Sequence, residues 1–296
     1  RALTLALAVE RIPPERRGVA AAIVWGGGCA GIAIVGAASG LVPADSPVAW
    51  RAEWIGMGVA GAIVAAIFAS LTGGAFAAGE HRDDGGAIGI FDRRRYRALA
   101  IAYFAYGFGY IDVVTFFGAA LTHAHGMRIG ATWTVLGVAG IAGVALWGPL
   151  VDRLRSGLPV ALACACCSGG ALLVAHGTAA AALAGALAIG VSFIGVPAMI
   201  GALLQQRERS ERYPRAFASI TVLLGIGQII GPLVGGPVAD RFGTSAAIVT
   251  GATALAVAAI AALFYRRPAA VLNSRPLAAD RPQPSPLRLE RSEPVS

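Results

Sequence analysis

Asp112 is the first residue whose chemistry needs explaining. It is the one acid lying well inside a long apolar stretch of this chain, fifteen residues into the stretch 97–122. At about 1.5 Å per residue it stands roughly 22 Å from the first end of that stretch, toward its far third. An acid in hydrocarbon is costly and is a functional candidate by default. Helical spacing puts Ala105, Gly109, Thr115 and Ala119 on its face. Two readings stand. Asp112 takes up and releases protons in a coupled cycle, with Thr115 helping to solvate it, or it is a structural acid that snorkels toward the outer water or is capped by Thr115.

Tyr103, Tyr106 and Tyr110 recur at i, i+3 and i+7 on the opposite face of the same stretch. Rings with polar tips suit a cavity for a small organic solute; simple packing or an interfacial aromatic belt is the alternative. Gln228 stands one turn before Gly231-Pro232, where an amide reaches solute or bonds across helices. Ser192 precedes Gly195 and Pro197, so its helix is expected to bend at Pro197. Trp133 and Thr134 read as interface anchors, and His123, His125 and Arg128 as solvated loop residues. No Gly-rich phosphate loop and no Ser/His/Asp arrangement is present. The four cysteines, Cys29, Cys164, Cys166 and Cys167, lie in apolar stretches and read as adaptable packing residues. No cofactor, metal or catalytic group is therefore expected.

These residues need helices that cross a membrane. The chain is 56% hydrophobic and 14% charged, against about 25% charged in a soluble domain. A span takes about 20 apolar residues. Eight such stretches occur, near 18–41, 53–78, 97–122, 130–151, 158–176, 179–204, 216–239 and 244–265. All 24 basic residues are arginine. Sixteen of them fall in alternate gaps: Arg11, Arg16 and Arg17; Arg82, Arg93, Arg94, Arg95 and Arg97; Arg153 and Arg155; Arg207, Arg209, Arg212 and Arg215; Arg266 and Arg267. The other gaps hold Arg51, Arg128 and Arg241. Short arginine-rich loops stay cytoplasmic, so the C-terminus is expected in the cytosol. The same rule accounts for the net charge of +8 without a nucleic-acid partner. The expected partners are the lipid bilayer, a small-molecule solute and the proton.

The gap 79–97 is the longest polar break and the natural domain boundary, and the proline-rich stretch 266–296 is expected to be a disordered tail. A weak repeat links Gly148-Pro149-Leu150-Val151-Asp152-Arg153 to Gly236-Pro237-Val238-Ala239-Asp240-Arg241. Three spans lie between the two aspartates, which places them at opposite membrane faces, as an inverted repeat requires. Residues 227–236 carry Gly227, Gly231, Gly235 and Gly236 with Pro232, small residues spaced to let helix backbones approach closely.

On these residues the chain resembles the major facilitator superfamily (MFS) of transporters. Residues 148–157 are similar to its loop signature, with Arg155 where the signature has its second Gly. Residues 227–236 match its G-x-x-x-G-P-x-x-G-G pattern, here in the counterpart of helix eleven rather than helix five. Residues 103–117 resemble helix seven of an uncharacterised bacterial branch. The resemblance implies an all-α integral membrane bundle of twelve helices, about eight present here. It sets 1–78 as the remainder of an N-terminal bundle, 79–96 as the central cytoplasmic loop and 97–266 as a six-helix C-terminal bundle. The chain begins with Arg1, and residues 2–9 look like the inner end of an incomplete helix, as in a piece lacking the first three to four helices. The resemblance implies a multi-pass protein of the bacterial inner membrane that moves a small organic solute by alternating access, with proton coupling at Asp112. Solute would be bound by Tyr103, Tyr106, Tyr110, Thr115, Ser192 and Gln228. Gly148, Asp152, Arg153, Asp240, Arg241 and the 227–236 glycines with Pro232 would serve gating. A non-transporting receptor or assembly protein, or a membrane-embedded enzyme, is the alternative; an enzyme would need more acids facing one leaflet.

Overall fold

The computed structural model describes residues 17–40, 48–72, 94–123, 129–208 and 212–265. Residues 2–9, most of the gap 79–97, His125, Arg128 and the tail 266–296 lie outside them. The described residues form nine helices and no strand. They are α1 (Arg17–Ser39), α2 (Ala49–Thr72), α3 (Arg94–His123), α4 (Ile129–Leu154), α5 (Leu158–Ala175), α6 (Ala179–Phe193), α7 (Gly195–Gln205), α8 (Tyr213–Phe242) and α9 (Thr244–Leu263). Among the described residues seven stretches are long and apolar enough to cross a membrane, α6 and α7 together making one of them. Each sequence-predicted span meets its helix within a few residues, apart from 53–78, which starts at Ala49 and ends at Thr72.

Span length is dictated by hydrocarbon thickness, and the ends by breakers. Gly157 precedes α5, with Pro159 in its first turn, where a proline costs no hydrogen bond. The Thr178 hydroxyl accepts from the Ala181 amide and caps α6. Gly243, at φ 88°, separates α8 from α9. Arg155 has φ 45°, a left-handed conformation unusual for a residue with a side chain. It stands where the loop signature has glycine, which explains what glycine does there.

The helices pack in a continuous succession. α3 lies against α8 and α9, α9 against α5, α5 against α6, and α6 against α4, which also carries α1. The core is built from small and aromatic residues, among them Tyr96, Tyr103, Tyr106 and Phe117 of α3. Cys164 and Cys167 are buried in it as free thiols. Trp133 is half-buried and packs edge-on against Phe117, ring centres 5.2 Å apart. None of the most apolar window of α2 is buried, and Trp54, Ile55, Val64 and Leu71 are open to the surroundings. In a bilayer such a surface is solvated by acyl chains, so it carries no water penalty.

Candidate functional site

Asp112 is 0% exposed, and neither carboxyl oxygen has a hydrogen-bond partner among the described residues. Its cage is made by glycines. Gly235 of α8 presses so closely that a methyl group there would overlap Asp112 Oδ1. A methyl group on Gly251 of α9 would stand 3.1 Å from Oδ2, with the Gly251 backbone alongside. The acid thus sits at the meeting of three helices, where two neighbours carry no side chain. The expectation that Thr115 solvates it fails. Thr115 is exposed and donates to the Ile111 carbonyl at 2.7 Å, the local back-bond a helical threonine readily makes.

Three of the four glycines of 227–236 do one common job. A side chain on Gly227 would strike the backbone of Phe104 and Phe108, and one on Gly231 the Phe108 carbonyl at 2.5 Å. Gly235 continues the line to Asp112. This stripe lets α8 lie directly on α3 and ends at the buried acid. Gly236 is outside it and meets nothing within 4 Å.

The tyrosine face of α3 points the other way. Tyr103 stacks on Tyr106 at 6.3 Å, Tyr106 on Tyr110 at 5.4 Å, and Tyr110 on Phe193 at 6.0 Å. Tyr103 and Tyr106 are 1% exposed, so they support the bundle rather than line open space; Tyr110 is half-buried. The ladder leads to the break between α6 and α7 at Ile194. Pro197 has no N–H for the Phe193 carbonyl one turn back. The Tyr106 hydroxyl donates to that carbonyl instead. Beside it, Trp147 Nε1–H donates to the Val191 carbonyl at 2.8 Å, and its ring leaves no room for a side chain on Gly195. Ser192 is fully buried next to the break with an unpartnered hydroxyl.

Sequence reasoning located the bend but missed Tyr106 and Trp147 as its donors. The signal for Tyr106 is the orphan carbonyl that any internal proline leaves four residues back. Replacing Tyr106 by Phe is expected to cost about 1–3 kcal/mol, because a buried acceptor loses its donor while the ring stays. A lower Tm of the detergent-solubilised protein is the check; an unchanged Tm would mean that the hydroxyl adds nothing.

Gln228 is half-buried on α8, as is Pro232. At the other end, Asp152 and Arg153 are exposed, and Asp152 accepts from Gln206 Nε2 at 3.4 Å, tying the end of α4 to that of α7. Gly148 is half-buried with open space around its Cα. Asp240 and Arg241 are exposed at the end of α8. Three membrane-length passes, α5, α6 with α7, and α8, separate the two Asp-Arg pairs. Among the described residues no group of three or more His, Cys, Asp or Glu could hold a metal ion.

Comparison with known proteins agrees with this architecture. No curated protein and no solved structure matches the chain. A family profile described as "Uncharacterised MFS-type transporter YbfB" matches residues 2–263. A match over that much of a chain of 296 residues, folded into an all-helical bundle of membrane-length spans, means that the chain belongs to this family of MFS-type membrane transporters.

Proposed function

We propose that the protein is a secondary active transporter that moves a small organic solute across the bacterial inner membrane by alternating access, coupled to protons through Asp112. One observation carries the coupling: a fully buried carboxyl without a hydrogen-bond partner, held between α8 and α9 by glycines. A charge there is costly, so the acid exchanges its proton in a conformation that parts these helices and admits water. Alternating access supplies that conformation, since MFS bundles rock about a midplane site.

In this reading residues 1–78 belong to one bundle and 97–266 to the other, with the Arg-rich loops and the C-terminus in the cytosol. Tyr110 and Gln228, both half-buried, contact solute. Tyr103 and Tyr106 fix the position of Tyr110 and of the α6–α7 break. Ser192 becomes available to solute when that break flexes. Asp152 with Gln206 closes the cytosolic side, and Asp240 and Arg241 act at the other face. The test is a cysteine at Gln228, probed in the whole protein with membrane-impermeant thiol reagents. Labelling from each side, with solute shifting the balance between them, is the expected result. Labelling from one side alone, whatever is added, would exclude alternating access.

A further inference from the structure

We infer that the groove between the start of α3 and the end of α9 is a binding site for an anionic phospholipid. The groove has a volume of about 630 Å³. It is lined by Arg97, Ala98 and Ile101 from α3 and by Val257, Ile260, Ala261 and Phe264 at the end of α9. Its apolar walls are open: Ile101 is 52% exposed, Ile260 58% and Phe264 71%. Arg97 is exposed at the mouth and is the only charged group in the lining. From the level of Phe264 to that of Val257 is seven residues of helix, roughly 10 Å of depth. One end is therefore cationic and the remainder is hydrocarbon-like, which fits an amphiphile with a negative head.

A basic residue at the cytosolic end of a groove between spanning helices is the usual form of an anionic headgroup site. In the sequence Arg93, Arg94 and Arg95 precede Arg97, and Arg266 and Arg267 come after Tyr265. Arg97 is the arginine that the groove itself holds at this end. Charge complementarity favours lipid over a second copy of the chain. A two-fold contact through this groove would set Arg97 against Arg97, and the groove is too small for a stable dimer, which buries about 1,200 Å² or more. The inference rests on the proposed placing of the arginine-bearing helix ends at the bilayer surface.

Native mass spectrometry of the delipidated protein tests it. Phosphatidylglycerol is compared with phosphatidylcholine of the same acyl chains and with glycerol 3-phosphate as a free anion. The expected result is about fivefold greater retention of phosphatidylglycerol than of phosphatidylcholine, the effect of roughly one arginine at an anionic surface. Arg97→Gln abolishes that preference, whereas Arg97→Lys and the distant Arg51→Gln keep it. Ile260→Gln weakens retention of both lipids. Equal retention of the two lipids by the unsubstituted protein, an undiminished preference in Arg97→Gln, glycerol 3-phosphate bound as tightly as the lipid, or dimers that form in place of lipid adducts would each overturn the assignment. Retention is read without solute flux, so a failure here leaves the transport proposal standing, and a failure of transport leaves this one.

Discussion

With Asp112 replaced by Asn, the whole protein is expected to lose gradient-driven accumulation of solute by about tenfold or more, while solute exchange across the membrane continues. Asn has nearly the volume of Asp and fits the same glycine cage, so the packing of α3 between α8 and α9 survives. What it lacks is a proton to give. An ionised carboxylate buried without a partner costs several kcal/mol, and the unsubstituted protein meets that cost only where water reaches the group. In the proposed cycle this ties the protonation of Asp112 to the opening of the helices around it. Asn removes the tie and leaves the rocking motion, which is all that exchange requires. A merely structural acid would behave differently: its replacement would lower exchange and accumulation together, or neither.

The second large effect is expected at Gly235. Its Cβ in Gly235→Ala would overlap Asp112 Oδ1 and stand 2.7 Å from the Phe116 ring. Overpacking of a close helix contact costs about 1–3 kcal/mol, and here the group displaced is Asp112, the proposed coupling acid. Lower thermal stability and loss of gradient-driven uptake should appear together. The neighbouring Gly236→Ala meets nothing within 4 Å and is expected to change stability by less than about 0.5 kcal/mol. A double-mutant cycle separates contact from helix propensity. In an Asp112→Ala background Gly235→Ala should be milder by about 1–2 kcal/mol, since the atom that it strikes is gone. Additive effects of the two substitutions would mean that Gly235 and Asp112 do not share the contact.

These two positions also mark what the sequence could and could not reveal. The spans were legible because hydrocarbon thickness fixes their length and because arginine falls in alternate gaps. Asp112 was legible because one acid in apolar surroundings is conspicuous. The glycines of 227–236 were legible as a close-packing face, yet nothing in their order says that Gly235 touches the acid and Gly236 touches nothing. That distinction depends on the rotation of α8 against α3. Gly251 of α9, the other wall of the cage, lies in a run of small residues and carries no local mark at all. Pro197 announced a break, since a proline cannot donate. The group that compensates is Tyr106, 91 residues away in sequence, and Trp147, 50 residues away, bonds the Val191 carbonyl beside the break. The tyrosine spacing correctly put three rings on one face, but periodicity gives a face and not what it meets, so two of the three are buried where cavity-lining positions were expected. Thr115 shows the same limit: its place on the face of Asp112 was readable, its preference for its own helix's carbonyl was not.

The most direct test of the coupling is solute accumulation in membrane vesicles bearing the whole protein, with a pH gradient imposed and then dissipated by a protonophore. The unsubstituted protein should concentrate solute only while the gradient lasts, and the Asp112→Asn protein should equilibrate it without concentrating it. Accumulation by Asp112→Asn that matches the unsubstituted protein and still collapses with the gradient would show that protons are coupled through another group and that the buried acid of α3 is not the coupling residue.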